Sequence, residues 1–158
     1  TSKVTTMQTM FQNCEKVESL DVSNFDTKNV TSMSYMFNRC YKITSLDLSK
    51  FDTSKVTTLH AMFQYCQSLT SADISTFDTS AVTDVGNMFN KCTALTTIYA
   101  KSGSDWNNAS TLETSSGIFT DCTKLVGGNG TVYASNHTGK QYARIDTATA
   151  LGYFTAKN

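Results

Sequence analysis

Three carboxylates recur at one spacing in this chain: Asp21, Asp47 and Asp73 stand 26 residues apart. Each has serines two residues to either side, Ser19 and Ser23, Ser45 and Ser49, Ser71 and Ser75. Oxygen-rich side chains repeated in register suit hydroxylated ligands such as glycans, a polar protein surface, or a bridging cation. If the copies pair as neighbouring strands about 4.8 Å apart, the carboxylates form a column. Two such charges repel by roughly 0.8 kcal/mol in water, so the column must be solvated, hydrogen-bonded to its serines, or neutralised. A solvated polar face that keeps the molecule soluble is the plainer reading. At the fourth copy the position is Tyr99, an aromatic anchor at the rim of the acidic stripe.

Other chemistry finds less support. Cys14, Cys40, Cys66, Cys92 and Cys122 lack the paired ligands of a zinc site. Their odd number and their place among Phe and Met point to buried, reduced thiols acting as small hydrophobes. Bridges between adjacent copies are the sharper alternative. His60 and His137 are the only histidines. His60 falls in a column with Gln8, Ser34 and Gly86, with no repeated acidic or nucleophilic partner. The run GGNG at 127–130 lacks the spacing of a phosphate loop. No catalytic residue, metal or cofactor is expected.

These positions belong to a 26-residue repeat. Valines at 4, 30, 56 and 82 are each followed by Thr, Met-Phe recurs at 10, 36, 62 and 88, and Phe-Asp-Thr at 25, 51 and 77. A fifth, degenerate copy keeps Phe119, Cys122 and Leu125, with about four extra residues around Trp106. Met33, Met36, Phe37 and Cys40 have the spacing of one helix face, with Thr31 placed to cap it. Ile43, Leu46 and Leu48 then alternate as in a strand. Asp26, Asp52 and Asp78, each followed by Thr, suit turns. One unit buries too little apolar surface to offset the entropy of ordering it, so the units must stack.

The repeat V-T-x-M-x-x-M-F-x-x-C-x-x-L-x-x-L-D-L-S-x-F-D-T resembles the bacterial surface-protein leucine-rich repeats of the BspA-like type, the DUF285 group. The resemblance covers Thr1 to about Ile98 closely, and the tail resembles the segment that closes such arrays. Phe25, Phe51 and Phe77 stand where ordinary leucine-rich repeats carry an inward Asn, so ring stacking is expected to fill that corner. The expected fold is an α/β repeat solenoid of the right-handed leucine-rich-repeat type. It has a parallel sheet on one side, short helices on the other and a small β-rich C-terminal cap. Residues 1–99 form the solenoid; 100–158 form the last repeat and the cap. Strands are expected at Val132-Tyr133, Tyr142 to Ile145 and Tyr153-Phe154. Trp106 is read as a plug between solenoid and cap, or an exposed contact residue.

The resemblance implies a secreted or wall-attached bacterial protein with a binding or adhesive role, and no enzyme. The implied partner is a protein or glycan of a host or neighbouring cell, met through Ser19, Asp21, Ser23, Ser45, Asp47, Ser49, Ser71, Asp73, Ser75 and Tyr99. A structural spacer carrying another domain is the alternative. Formal net charge is zero, which argues against nucleic acid and anionic membranes. No apolar run approaches the ~20 residues of a membrane span. The chain opens in mid-repeat, with Thr1-Ser2-Lys3 matching Thr53-Ser54-Lys55. It is therefore read as the C-terminal part of a longer array, with self-association expected at the N-terminal edge.

Overall fold

A computed structural model describes residues 1–106, 112 and 115–158. The 26-residue units form coils laid one on another, and the backbone that builds them is made of turns. In the segment expected to be helical, the N–H groups alternate between two kinds of partner. Those of Met36, Asn38 and Cys40 reach three residues back, to Met33, Tyr35 and Phe37, at 3.2, 3.1 and 3.1 Å. Those of Tyr35, Phe37 and Arg39 cross to the next coil and meet the carbonyls of His60, Met62 and Gln64 at 2.9 Å. The pattern repeats from Ala61, Phe63 and Tyr65 to Gly86, Met88 and Asn90.

The expected helices are therefore absent among the described residues, and the α/β solenoid with helices on one side is not the fold. The reason lies in the backbone. Thr9, Tyr35, Ala61 and Asn87 have φ of 58, 58, 51 and 56°. Asn13, Arg39, Tyr65, Lys91 and Asp121 have φ between 60 and 64°. A left-handed residue at the third position is what a type II turn demands, and it interrupts an α-helix. Two such residues per coil turn the apolar spacing at i, i+3, i+4 and i+7 into successive tight turns. Only in the fifth copy does a glycine, Gly117 at φ 66°, occupy the first of these places. Thr31 caps no helix: its N–H and its hydroxyl both donate to the Thr5 carbonyl, at 2.8 and 3.1 Å.

The sheet is smaller than expected. Among the described residues three parallel strands form, β1 (Ser71–Asp73), β2 (Thr97–Lys101) and β3 (Phe154–Lys157), in that spatial order. Ser71 faces Thr97 and Ile98 faces Phe154. The Leu46–Leu48 stretch is not a strand, although its coil is tied to the next by the bond from Thr70 N–H to the Thr44 carbonyl. The C-terminal segment is not β-rich either. Among the described residues it supplies β3, a 3-10 turn at Lys140–Tyr142 and isolated bridges such as Val126 to Val132 and Asp105 to Arg144. Of the three strands expected there, the one at Tyr153-Phe154 has a counterpart in β3.

Columns of identical or similar side chains fill the interior. Val30, Val56 and Val82 are fully buried, as are Met36, Met62 and Met88, and Cys40, Cys66 and Cys92. The continuous ring column is Phe11, Phe37, Phe63, Phe89 and Phe119. Successive centroids lie 5.6, 5.7, 5.4 and 6.3 Å apart, with planes within 7° of parallel. Phe25, Phe51 and Phe77 do not make the expected stack. Phe51 is buried, while Phe25 is half-buried and packs on Phe11 at 6.1 Å.

Hydroxyls pin the corner where Phe-Asp-Thr recurs. Thr27 and Thr53 are buried. The Thr27 hydroxyl donates to the Asp52 carbonyl and accepts from the Asp52 N–H, at 2.9 and 2.8 Å, and Thr53 does the same with Asp78. At the far end Trp106 is 4% exposed, which excludes an exposed contact role. It packs edge-on against Phe154 at 5.1 Å, and its backbone N–H donates to the Ala143 carbonyl. Residues 107–110 of the expected insertion lie outside the described residues.

Candidate functional site

The acidic column takes its shape from an Asx turn repeated in three coils. The Ser23, Ser49 and Ser75 N–H groups each donate to Oδ1 of the Asp two residues earlier, at 3.0 Å. The hydroxyls of Ser23 and Ser75 add a second bond at 2.6 Å. Val22, Leu48 and Ile74 lie between each Asp and its Ser and turn inward. The alternation therefore sets Asp and Ser on the outer face. Asp21, Ser23, Asp47 and Ser49 are exposed; Asp73, Ser75 and Tyr99 are half-buried. Ser19 and Ser45 share the exposed face and Ser71 is half-buried, and none of the three bonds to the Asp of its own coil.

The serine bonds hold the Asp21 and Asp47 carboxyls below the ordinary carboxylate value, against a small opposing push from the next Asp in the column. Burial pushes Asp73 upward, but bonds from Lys157 and Ser75 outweigh it and leave the group lowered. Lys157 Nζ pairs with Asp73 Oδ2, and the ammonium lies over the Tyr99 ring, 5.8 Å from its centroid. The acidic row thus ends in an ion pair at the Tyr99 rim. Beside it a groove of about 990 Å³ is lined by residues 75–80, Lys101, Ser102, Lys157 and Asn158. Among the described residues no group of three or more His, Cys, Asp or Glu side chains could hold a metal ion.

All five cysteines are free. Cys40, Cys66, Cys92 and Cys122 each donate Sγ–H to a carbonyl of the preceding coil, those of Phe11, Phe37, Phe63 and Phe89, at 3.0–3.2 Å. Burial pushes the Cys40 and Cys122 thiols up to about 12.

Three features escaped the sequence reading. His60 has an acidic partner after all: its Nδ1 lies 3.2 and 3.1 Å from the two carboxylate oxygens of Asp84. Asp84 replaces the hydroxyls of Thr6, Ser32 and Thr58, which accept an N–H two residues on. An acid in a hydroxyl column was the available signal. A Cβ on Gly86 would lie 3.1 Å from both Asp84 Oδ1 and His60 Nδ1, so glycine makes room for the pair. Second, an amide ladder runs from Gln12 to Asn38 at 3.2 Å and from Asn38 to Gln64 at 3.0 Å. Third, Asp146 is 5% exposed. It accepts the Asn129 and Thr131 N–H groups and the Thr131 hydroxyl at 2.9, 2.9 and 2.6 Å, and the Gly152 N–H at 3.3 Å. Neither the segments that Asp146 joins, at 129–131 and Gly152, nor Lys157 has a periodic signature.

Among the described residues no helix is long and apolar enough to cross a membrane. No curated protein and no solved structure matches the chain. The family described as "Mycoplasma protein of unknown function, DUF285" matches residues 5–130. On that match, which spans most of its length, the chain belongs to the DUF285 family.

Proposed function

We propose that the chain is a non-enzymatic binding module displayed on or secreted from a bacterial cell. It engages a protein or glycan of a host or neighbouring cell through the face carrying Asp21, Asp47, Asp73, their serines and Tyr99. The observation that carries this reading is the repetition of one Asx turn in three successive coils. It presents the same polar group at three steps of a rigid comb, and it suits multivalent contact with a repeating ligand. Free thiols that are mostly buried, with raised pKa values, are compatible with an oxidising exterior because the thiolate is the reactive form.

A second reading is a spacer that lifts another domain, favoured by the use of each Asp Oδ1 within its own turn. The test is surface plasmon resonance of the purified chain against a glycan panel and immobilised matrix proteins. The variant is Asp47→Lys, in the middle of the column. Binding that Asp47→Lys abolishes supports the module. Binding absent throughout, or indifferent to Asp47→Lys, favours the spacer. A hydrolase screen on the same sample that found turnover would overturn both.

A further inference from the structure

A second column, distinct from the acidic one, carries two cations in its middle coils. At the second left-handed position of each coil the residues are Asn13, Arg39, Tyr65, Lys91 and Asp121. Asparagine accepts that conformation readily, whereas long or aromatic side chains adopt it only against steric cost. In the middle of the column three such side chains interlock. The Arg39 guanidinium lies 5.4 Å from the Tyr65 ring centroid, and the Lys91 ammonium lies 5.0 Å from it. Tyr65 is thus held between two cations from the coils before and after it.

Among the described residues, neither Arg39 nor Lys91 forms an ion pair, and those that form use Lys28, His60 and Lys157. Lys42, three residues beyond Arg39, is exposed. From 39 to 45, 65 to 71 and 91 to 97 there is no acidic residue. Positive charge therefore gathers in the second to fourth coils of this column, between Glu15 and Glu18 of the first coil and Asp121 of the fifth, in a chain whose formal net charge is zero. The ring faces orient the cations but leave their charge and N–H donors available to an anion.

We propose that the Arg39–Tyr65–Lys91 row binds an acidic polysaccharide. Arg39 and Lys91 take carboxylate or sulfate groups on successive parts of the chain, and the Tyr65 hydroxyl meets the sugar between them. The geometry favours an extended polymer. The core rings of these three coils step by 5.7 and then 5.4 Å, close to the advance of one sugar unit along a glycan chain. Two cations two coils apart suit anions borne on alternate sugars. An isolated anion would meet only one of them at full strength.

The probes are heparin fragments, carrying sulfate, and hyaluronate, carrying carboxylate alone, with neutral dextran as the control. Affinity is read by calorimetry at low and at physiological salt. Wild type is expected to bind one or both acidic chains and not dextran, more weakly as salt rises. Arg39→Gln and Lys91→Gln should each weaken binding by about tenfold, the loss of one charge-assisted contact. Tyr65→Phe, which keeps the ring, should keep most of the affinity, and Tyr65→Ser should lose it. Unchanged melting temperatures in the Gln variants separate a binding role from a folding one. The proposal is overturned if neither acidic chain binds, or if binding ignores both Gln substitutions. It also falls if phosphatidylserine vesicles or an RNA oligomer bind as tightly as the polysaccharide.

Discussion

Asp146 shows how one residue can hold a segment that has no repeat to lean on. Burial pushes its carboxyl upward, but bonds from Thr131, Asn129 and Gly152 outweigh burial and lower it below 3.8. A lowered folded pKa gives stability that is complete above the unfolded value and lost as pH falls through the folded one. Asp146→Asn places an amide against N–H donors and should cost about 2–4 kcal/mol, measured by urea denaturation at neutral pH. Wild type should approach the variant's stability on acidification below 3.8, while the variant's own acid dependence is weaker. A variant as stable as wild type at neutral pH would remove Asp146 from the centre of this segment. The thiols carry a second prediction at this scale. Only Cys14 is half-buried and the other four are buried. In the folded protein at about pH 8 an aromatic disulfide reagent should therefore modify Cys14 first. The others should react only on unfolding. Rapid labelling of Cys66 or Cys92 would contradict their place in the core.

Among the elements, the decisive feature is the left-handed residue. Thr9 is exposed and β-branched, yet sits at φ 58°. Thr9→Gly should stabilise the chain by about 1 kcal/mol, by relieving a strained backbone. In a helix the same change would be neutral or destabilising, so thermal denaturation separates the two backbones. The apolar columns were legible in the sequence, because spacing alone shows that Val30 lies over Val56 and Cys40 over Cys66. The backbone was not. Positions i, i+3, i+4 and i+7 fall on one side both in a helix and in a run of tight turns. Thr, Tyr, Ala, Arg and Lys give no warning of positive φ; Asn13, Asn87, Asp121 and Gly117, which accept it readily, were the available signs. The expected Phe25–Phe51–Phe77 stack failed for a related reason, since Phe37, Phe63 and Phe89 recur with the same period. Periodicity names columns but does not say which one faces inward. The outward place of Asp21, Asp47 and Asp73 followed from local alternation about Val22, Leu48 and Ile74. The Lys157 partner of Asp73 comes from 84 residues away, beyond any local rule.

Taken as a whole, the molecule is a ladder of coils sealed at one end. β3 pairs with β2, and Phe154 packs with Trp106 and Phe119 at 5.1 and 6.3 Å. Phe154→Ala should cost about 3–5 kcal/mol and loosen the fifth coil first, seen as faster amide exchange around Phe119 and Cys122. Lys157→Ala removes a solvent-facing ion pair and an ammonium over the half-buried Tyr99 ring, and should barely move the melting temperature. If the two variants behave alike, the seal is not apolar. The fold depends most on hydrogen bonds that run from coil to coil where a helix would bond within itself. Scalar couplings across hydrogen bonds, measured by NMR on labelled protein, read this directly. Couplings are expected from the amide nitrogens of Tyr35, Phe37 and Arg39 to the carbonyl carbons of His60, Met62 and Gln64. A coupling from Arg39 to the Tyr35 carbonyl, with none to Gln64, would be that of a helix and would contradict the structure described.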